Sequence, residues 1–277
     1  MAVQRIGIVL INLPKVNKTA LEYLVLQMNS LQSTFEFEFL PTNPNEKFFE
    51  LLEGEGTVSR ELLRDMSSEF VDRFRDYLER LVALYKLHEL PPDQFIILTL
   101  VKFSDNYYSM REGKLSVLDL GNWEQVLAPP SIYEFCTTLI LRSAIAIVSP
   151  SLGGSIHLGT KGCLCDFTAK LDEARYKTLN AFICQYCRTS LSEDGFENLA
   201  DEITNILKKD WLGKPDVPNT PANIVKKLGY NLFTTKGLEP TKRQKFLEFI
   251  QEEGIKQLIN MLGMLIIAAL LLWLGLK

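Results

Sequence analysis

The chain has 277 residues, enough for one or two domains, and its 30 Lys and Arg against 34 Asp and Glu leave a formal charge of −4 at pH 7. That balance excludes a phosphate-driven nucleic-acid binder, because no basic excess is available to displace counterions, and 16 Phe in a sequence that is 47% hydrophobic exclude global disorder. Only two histidines occur, His88 and His157, so one chain cannot hold a catalytic metal with three imidazoles.

In chain order, residues 3–13 carry a buried-strand pattern. The apolar stretch is short, is interrupted by Asn12 and runs into Pro14 and Lys15 without a small-residue cleavage site, so it reads as a first strand and not as a signal peptide. A helix follows, with Thr19 and Glu22 at capping-box spacing and Leu21, Leu24, Val25 and Met28 on one side. Phe35, Phe37 and Phe39 alternate with Glu36 and Glu38, the period of a half-exposed strand that Pro41 and Pro44 end. A loop with Gly54 and Gly56 leads to a long amphipathic helix over 59–88. Residues 94–101 read as a strand and 115–120 as a short strand at the sheet edge. Pro129 and Pro130 open an apolar helix that Pro150 stops. The charged, helix-prone stretch 167–183 places Asp172, Glu173, Arg175 and Lys177 on a solvated face, and residues 196–211 are helical. This order of elements predicts an α/β fold, a mixed sheet covered by helices, with body 1–191, and the Gly and Pro of 213–221 suggest where the body gives way to a helical stalk, 192–257.

Residues 258–276 contain one strongly polar side chain, Asn260, and are apolar on every face, with Trp273 near the end. As a helix that stretch is about 28 Å long, close to the hydrocarbon thickness of a bilayer, and it is expected to be a C-terminal transmembrane helix; the alternative is a buried core helix. Lys242, Arg243, Lys245 and Lys256 upstream point to a cytoplasmic body.

Cys136 stands alone, while Cys163, Cys165, Cys184 and Cys187 fall close together. Cys184-Gln-Tyr-Cys187 has the spacing that lets two thiolates reach one tetrahedral zinc, and Cys163-Leu-Cys165 lies 18 residues upstream as a second arm. Buried free cysteines are the alternative.

These residues resemble the archaemetzincin-like metallopeptidases of the metzincin group, whose pattern runs HExxHxxGxxHC, then CxM, then CxxC. His157, Cys163, Leu164, Cys165, Cys184 and Cys187 follow that layout with one insertion, Gly154 falls on the family's glycine, and Asp105-Asn106-Tyr107-Tyr108 looks like its acidic-aromatic segment. The resemblance spans roughly residues 3–191 and is sharp over 154–187. It implies a metzincin-like fold, with the first zinc histidine at Ile147, the catalytic glutamate at Val148 and the second histidine at Ser151. Ile147 and Val148 can supply neither a ligand nor a base to take a proton from bound water, so peptidase activity by the family mechanism is not expected.

The family also holds a structural zinc with four cysteines. The resemblance keeps three, as Cys163, Cys184 and Cys187; the fourth falls on Leu158, so Cys165 or His157 would complete a closed Zn2+ site in a knuckle subdomain over 157–187. The expected function is a membrane-anchored, catalytically inactive metalloprotease-like protein with structural zinc that binds a protein partner; no small-molecule substrate is identified. The alternatives are a membrane-perturbing effector that oligomerises through its cytoplasmic body and, behind it, an active hydrolase drawing on carboxylates such as Asp105, Asp166 or Asp172.

Overall fold

The computed structural model describes residues 3–13, 16–54, 56–121, 130–154, 157, 162–168, 171–180 and 182–230, and the single positions Arg243, Phe246, Leu247, Ile250, Gly254 and Met264. The chain divides into two compact units, Met1–Leu238 and Glu239–Lys277.

The sheet is built from β1 (Gln4–Leu10), β2 (Phe35–Phe39), β4 (Phe95–Thr99), β6 (Ser109–Glu112) and β7 (Leu115–Asp119), in the order β2-β1-β4-β7-β6. The first four positions in that order are parallel, and β6 pairs antiparallel with β7, Arg111 opposite Ser116. Two short strands, β3 (Thr57–Val58) and β5 (Lys102–Phe103), pair separately. A parallel sheet needs cover on both faces, and β4 shows it: all five residues are buried, with Ile96 and Leu98 on one side and Phe95 and Ile97 on the other.

On one face Phe95, Ile97, Leu115 and Val117 meet α2 (Lys47–Glu53) and α3 (Arg60–Tyr85) through Phe48, Phe49, Phe70 and Phe74. Ser59 caps α3 by accepting from the Leu62 N–H, and Lys86 ends it in the left-handed region. On the other face Ile6, Ile8, Ile96 and Leu98 meet α1 (Lys18–Met28) and α4 (Ile132–Val148). The α4 start is fixed by a capping box in which Ser131 and Glu134 each satisfy the other's backbone N–H. Beyond α4 come α5 (Pro150–Gly154), α6 (Leu171–Asn180), α7 (Gln185–Glu193), α8 (Leu199–Lys208), a 3-10 turn (Asp210–Leu212) and α9 (Pro221–Lys227). The mixed α/β architecture, a sheet covered by helices, is as expected.

Several local expectations need correction. The N-cap of α1 is Asn17, whose Oδ1 accepts from the Ala20 N–H, so Thr19 and Glu22 lie inside the helix and form no box. Residues 47–53, for which the sequence suggested no element, are α2, because Phe48, Phe49 and Leu52 share one face and are buried. The strand at 115–120 lies inside the sheet; the edge belongs to β6, joined to it by a tight turn in which Gly113 takes φ +51°. Lys177 is 1% exposed, not solvated. Part of the expected stalk packs into the body: Leu199, Ile203, Ala222, Val225 and Tyr230 share the core with α4, and the Tyr133 and Tyr230 rings meet edge to face at 4.3 Å.

Among the described residues no helix is long and apolar enough to cross a membrane. The transmembrane stretch expected at 258–276 lies outside them apart from Met264, as do Leu158 and the stalk residues 231–242.

Candidate metal centre

Four side chains converge where the chain leaves α5 and returns to α7. The ligand atoms of His157, Cys163, Cys184 and Cys187 all lie within 4.8 Å of one another. Backbone pairing brings them there. Cys163 bridges to Phe182, with the Leu164 N–H donating to the Phe182 carbonyl at 2.9 Å, which lays the first arm beside the second. His157 bridges to Asp166, and the Phe167 N–H donates to the His157 carbonyl at 3.1 Å. Gly162, at φ +130°, has Phe182 and Asn180 close on its open side, where a side chain would be strained by the backbone conformation. Cys184 is the N-cap of α7 and Cys187 sits in its first turn, so one short helical turn presents both thiols on the same side.

The distances suit a tetrahedral ion. Metal–sulfur bonds of about 2.3 Å set sulfur–sulfur edges near 3.8 Å and sulfur–nitrogen edges near 3.6 Å. Here Cys163 Sγ and Cys187 Sγ are 3.8 Å apart, Cys184 Sγ and Cys187 Sγ 3.6 Å, and Cys184 Sγ and His157 Nε2 3.6 Å. The His157 Nε2 to Cys187 Sγ edge is the short one at 3.0 Å. These separations are far too long for a disulfide, and all five cysteines are free. Three thiols and an imidazole form a soft donor set that suits Zn2+.

The surrounding groups hold the donors in place. Asp166 Oδ1 lies 2.6 Å from His157 Nδ1, so the ring proton sits on Nδ1 and the Nε2 lone pair faces the thiols. Lys177 reaches in from α6 and donates to the carbonyls of Leu164 and Asp166, fixing the turn that carries Cys163. Burial pushes that ammonium down to about 8. The thiols share charge. Hydrogen bonds from Cys163 and Cys187 draw the Cys165 thiol well below its ordinary value, while bonds to Cys163 and Cys165 push Cys187 up.

All five expected ligands therefore gather in one place, but not equally. Cys165 is buried and bonded to Cys163 and Cys187, yet the set that stays within 4.8 Å takes His157 instead. Asp166 had no assigned place at the metal; its signal in the sequence is only a carboxylate directly after Cys165.

The three positions read as replaced catalytic residues have other uses. Ile147 and Val148 pack against the core. Ser151 donates to Asp194 through its N–H at 3.1 Å and its hydroxyl at 2.7 Å. Burial raises the Asp194 carboxyl, but hydrogen bonds from Ser149 and Ser151 outweigh it and leave the group below its ordinary value. His88 is exposed and lies on a separate groove beyond α3 with Glu89 and Leu90.

The sequence matches no family model and no curated protein. Among solved structures the chain is similar to an archaemetzincin from Methanopyrus kandleri, at 13% identity and a TM-score of 0.41, over 69% of this chain and 95% of that one. It is also similar to a zinc-dependent peptidase from Methanocorpusculum labreanum, at 10% identity and a TM-score of 0.39, over 67% of this chain and 99% of that one. The first is of the family that the cysteine spacing resembles. Likeness at this level carries no chemistry, and the metal centre stands on its own four side chains.

Proposed function

We propose that the protein is a non-catalytic, metallopeptidase-like module with one structural zinc, held by His157, Cys163, Cys184 and Cys187, that serves as a protein-interaction domain anchored to a membrane through residues 258–276. The observation that supports it is the mutual approach of those four donor atoms within 4.8 Å, with Asp166 on the far side of the imidazole. Four protein ligands leave no position for an activated water, which is the arrangement of a structural site. A bound Zn2+ would neutralise the gathered thiolates and cross-link two arms of the chain.

The chain's own residues do the rest. Phe182 and Lys177 set the first arm, the α7 N-terminus presents the second, and Asp166 fixes the imidazole. Ile147 and Val148, where the resemblance puts a histidine and the general base, pack partly buried apolar side chains against the core and can do neither task. The membrane part of the reading rests on the apolar run 258–276 and the partner role on the lack of a catalytic set.

Metal analysis of the purified full chain tests the reading. One zinc per chain, lost in Cys184→Ser and Cys187→Ser, is expected; metal-free protein that remains folded would overturn it. Zinc-dependent hydrolysis of a peptide library would overturn the non-catalytic part alone.

A further inference from the structure

Between α4, the edge strand β6 and the start of α3 lies a cavity of about 370 Å3. Four arginines from three elements line it: Arg60 and Arg64 from α3, Arg111 from β6 and Arg142 from α4. On α4 the cavity side carries Leu139, Arg142, Ser143 and Ala146, one helical stripe. Arg60 is neutralised by Asp105, which accepts from its Nε at 2.6 Å, and its guanidinium lies 3.9 Å from the centre of the Tyr107 ring.

Arg111 and Arg142 have no such partner. Among the described residues neither is in an ion pair, and Arg111 Nε and Arg142 Nη1 are buried donors that bond to nothing. Among the described residues the Arg111 guanidinium donates only to the Gly153 carbonyl, at 2.6 Å. Its place depends on glycine, since a Cβ on Gly153 would meet Arg111 Nη1 at 2.9 Å and the Ala146 carbonyl at 2.8 Å. Of the carboxylates near the cavity, Asp105 pairs with Arg60 and Asp166 with His157, while Glu112 acts on Arg111 and Glu173 on the lining Tyr108, both from exposed positions. Burial lowers the Arg111 guanidinium from its ordinary value, and the positive charge of Arg142 lowers it further.

Two partly buried guanidiniums that repel one another and, among the described residues, leave buried N–H donors unpaired are favourable around an anion that accepts from both. We propose that this cavity binds a small ligand through a multiply charged oxyanion group, a phosphate or a dicarboxylate, held by Arg111 and Arg142 with Arg64 at the rim. Planar guanidiniums match such groups with two parallel hydrogen bonds. The cavity and the metal centre share Asp166, which lines the first and orients His157 in the second. The proposal needs no metal chemistry and stands whether or not zinc is bound.

The test is calorimetric titration of the full, zinc-loaded chain with inorganic phosphate in a low-chloride buffer, with sulfate and succinate in parallel. Saturable binding is expected, weaker by about ten- to a hundredfold in Arg142→Gln and Arg111→Gln, the loss of one charged hydrogen-bonding partner each. Zinc content in both variants stays at the wild-type value. Should either variant fail to fold, the exposed Arg64→Gln reads a smaller loss of the same binding. Preference for phosphate over succinate assigns a phosphoryl ligand, and the reverse a carboxylate. A chain that binds none of the three anions saturably, or variants that bind as the wild type does, would overturn the proposal.

Discussion

Asp166 accepts the Nδ1 proton of His157 across 2.6 Å, and that bond aims the opposite ring nitrogen at Cys184 and Cys187. A carboxylate in this position raises the basicity of a ligating imidazole and locks its tautomer, and its loss costs about ten- to a hundredfold in metal affinity where such partners have been removed. Asp166→Asn is expected to weaken zinc by that factor while stoichiometry at saturating metal stays at one. Competition with a chelator of known affinity measures it. Equal affinity in variant and wild type would mean that the histidine is not a ligand.

The two candidates for the fourth ligand give opposite results. Cys165→Ser should keep a full zinc with little change in affinity, because the serine sits beside the metal set and not in it. His157→Ala should leave three sulfur ligands and an open position, which admits water and weakens the metal. Absorption of the cobalt-substituted protein distinguishes them: the charge-transfer band of three thiolates persists in Cys165→Ser, and the ligand-field bands shift in His157→Ala.

The sequence could place the cysteine arms but not choose between these ligands. His157 lies one residue from the missing donor at Leu158, and Cys165 stands where the family's methionine does; what brings His157 into the set is the His157–Asp166 bridge, a pairing that spacing does not encode. Lys177 escaped for the same reason. A lysine in a charged helical stretch reads as solvated, and only the carbonyls of Leu164 and Asp166 make its burial tolerable. The strands with strong alternation or continuous apolar residues, β1, β2 and β4, were legible because side-chain period and burial agree there. The edge strand β6 was not, since Ser-Met-Arg-Glu offers one apolar side chain, the buried Met110, too few to show a period, and is otherwise held by its pairing with β7. The cavity arginines come from α3, β6 and α4, and only the folded sheet brings them together.

The two faces of the sheet should respond independently to mutation. Phe70 is fully buried opposite the metal-bearing face, stacked on Phe48 at 4.2 Å and on Phe74 at 5.5 Å, with Phe49 edge-on at 5.2 Å. Phe70→Ala should cost about 3–5 kcal/mol, the sum of lost transfer energy and the cavity left behind. Zinc content of the folded fraction should not change, since the cysteines belong to the other core cluster. Urea unfolding with metal analysis below the transition reads both quantities. Metal loss at denaturant concentrations where the variant is still folded would show that the faces are coupled.

Asp119 gives the stability a distinct pH dependence. It ends β7 as a residue 6% exposed, its carboxyl accepting from the Phe103 N–H at 2.9 Å and the Gly121 N–H at 2.6 Å. Burial raises it from 3.8 to about 7 despite those bonds. The folded state therefore holds a proton that the unfolded chain releases near pH 4, so stability from this group is complete below about pH 4 and is lost as pH rises through 7, by up to about 4 kcal/mol. In Asp119→Asn the amide cannot ionise, but its NH2 cannot accept either, which leaves one backbone N–H unpaired at a cost of about 1–3 kcal/mol. The variant should therefore be less stable than the wild type at pH 5 and should gain on it steadily toward pH 8, where the wild type carries a buried carboxylate. Thermal melts of the two proteins at pH 5, 6.5 and 8 test the crossing, and a constant difference in Tm across that range would show that Asp119 does not titrate there.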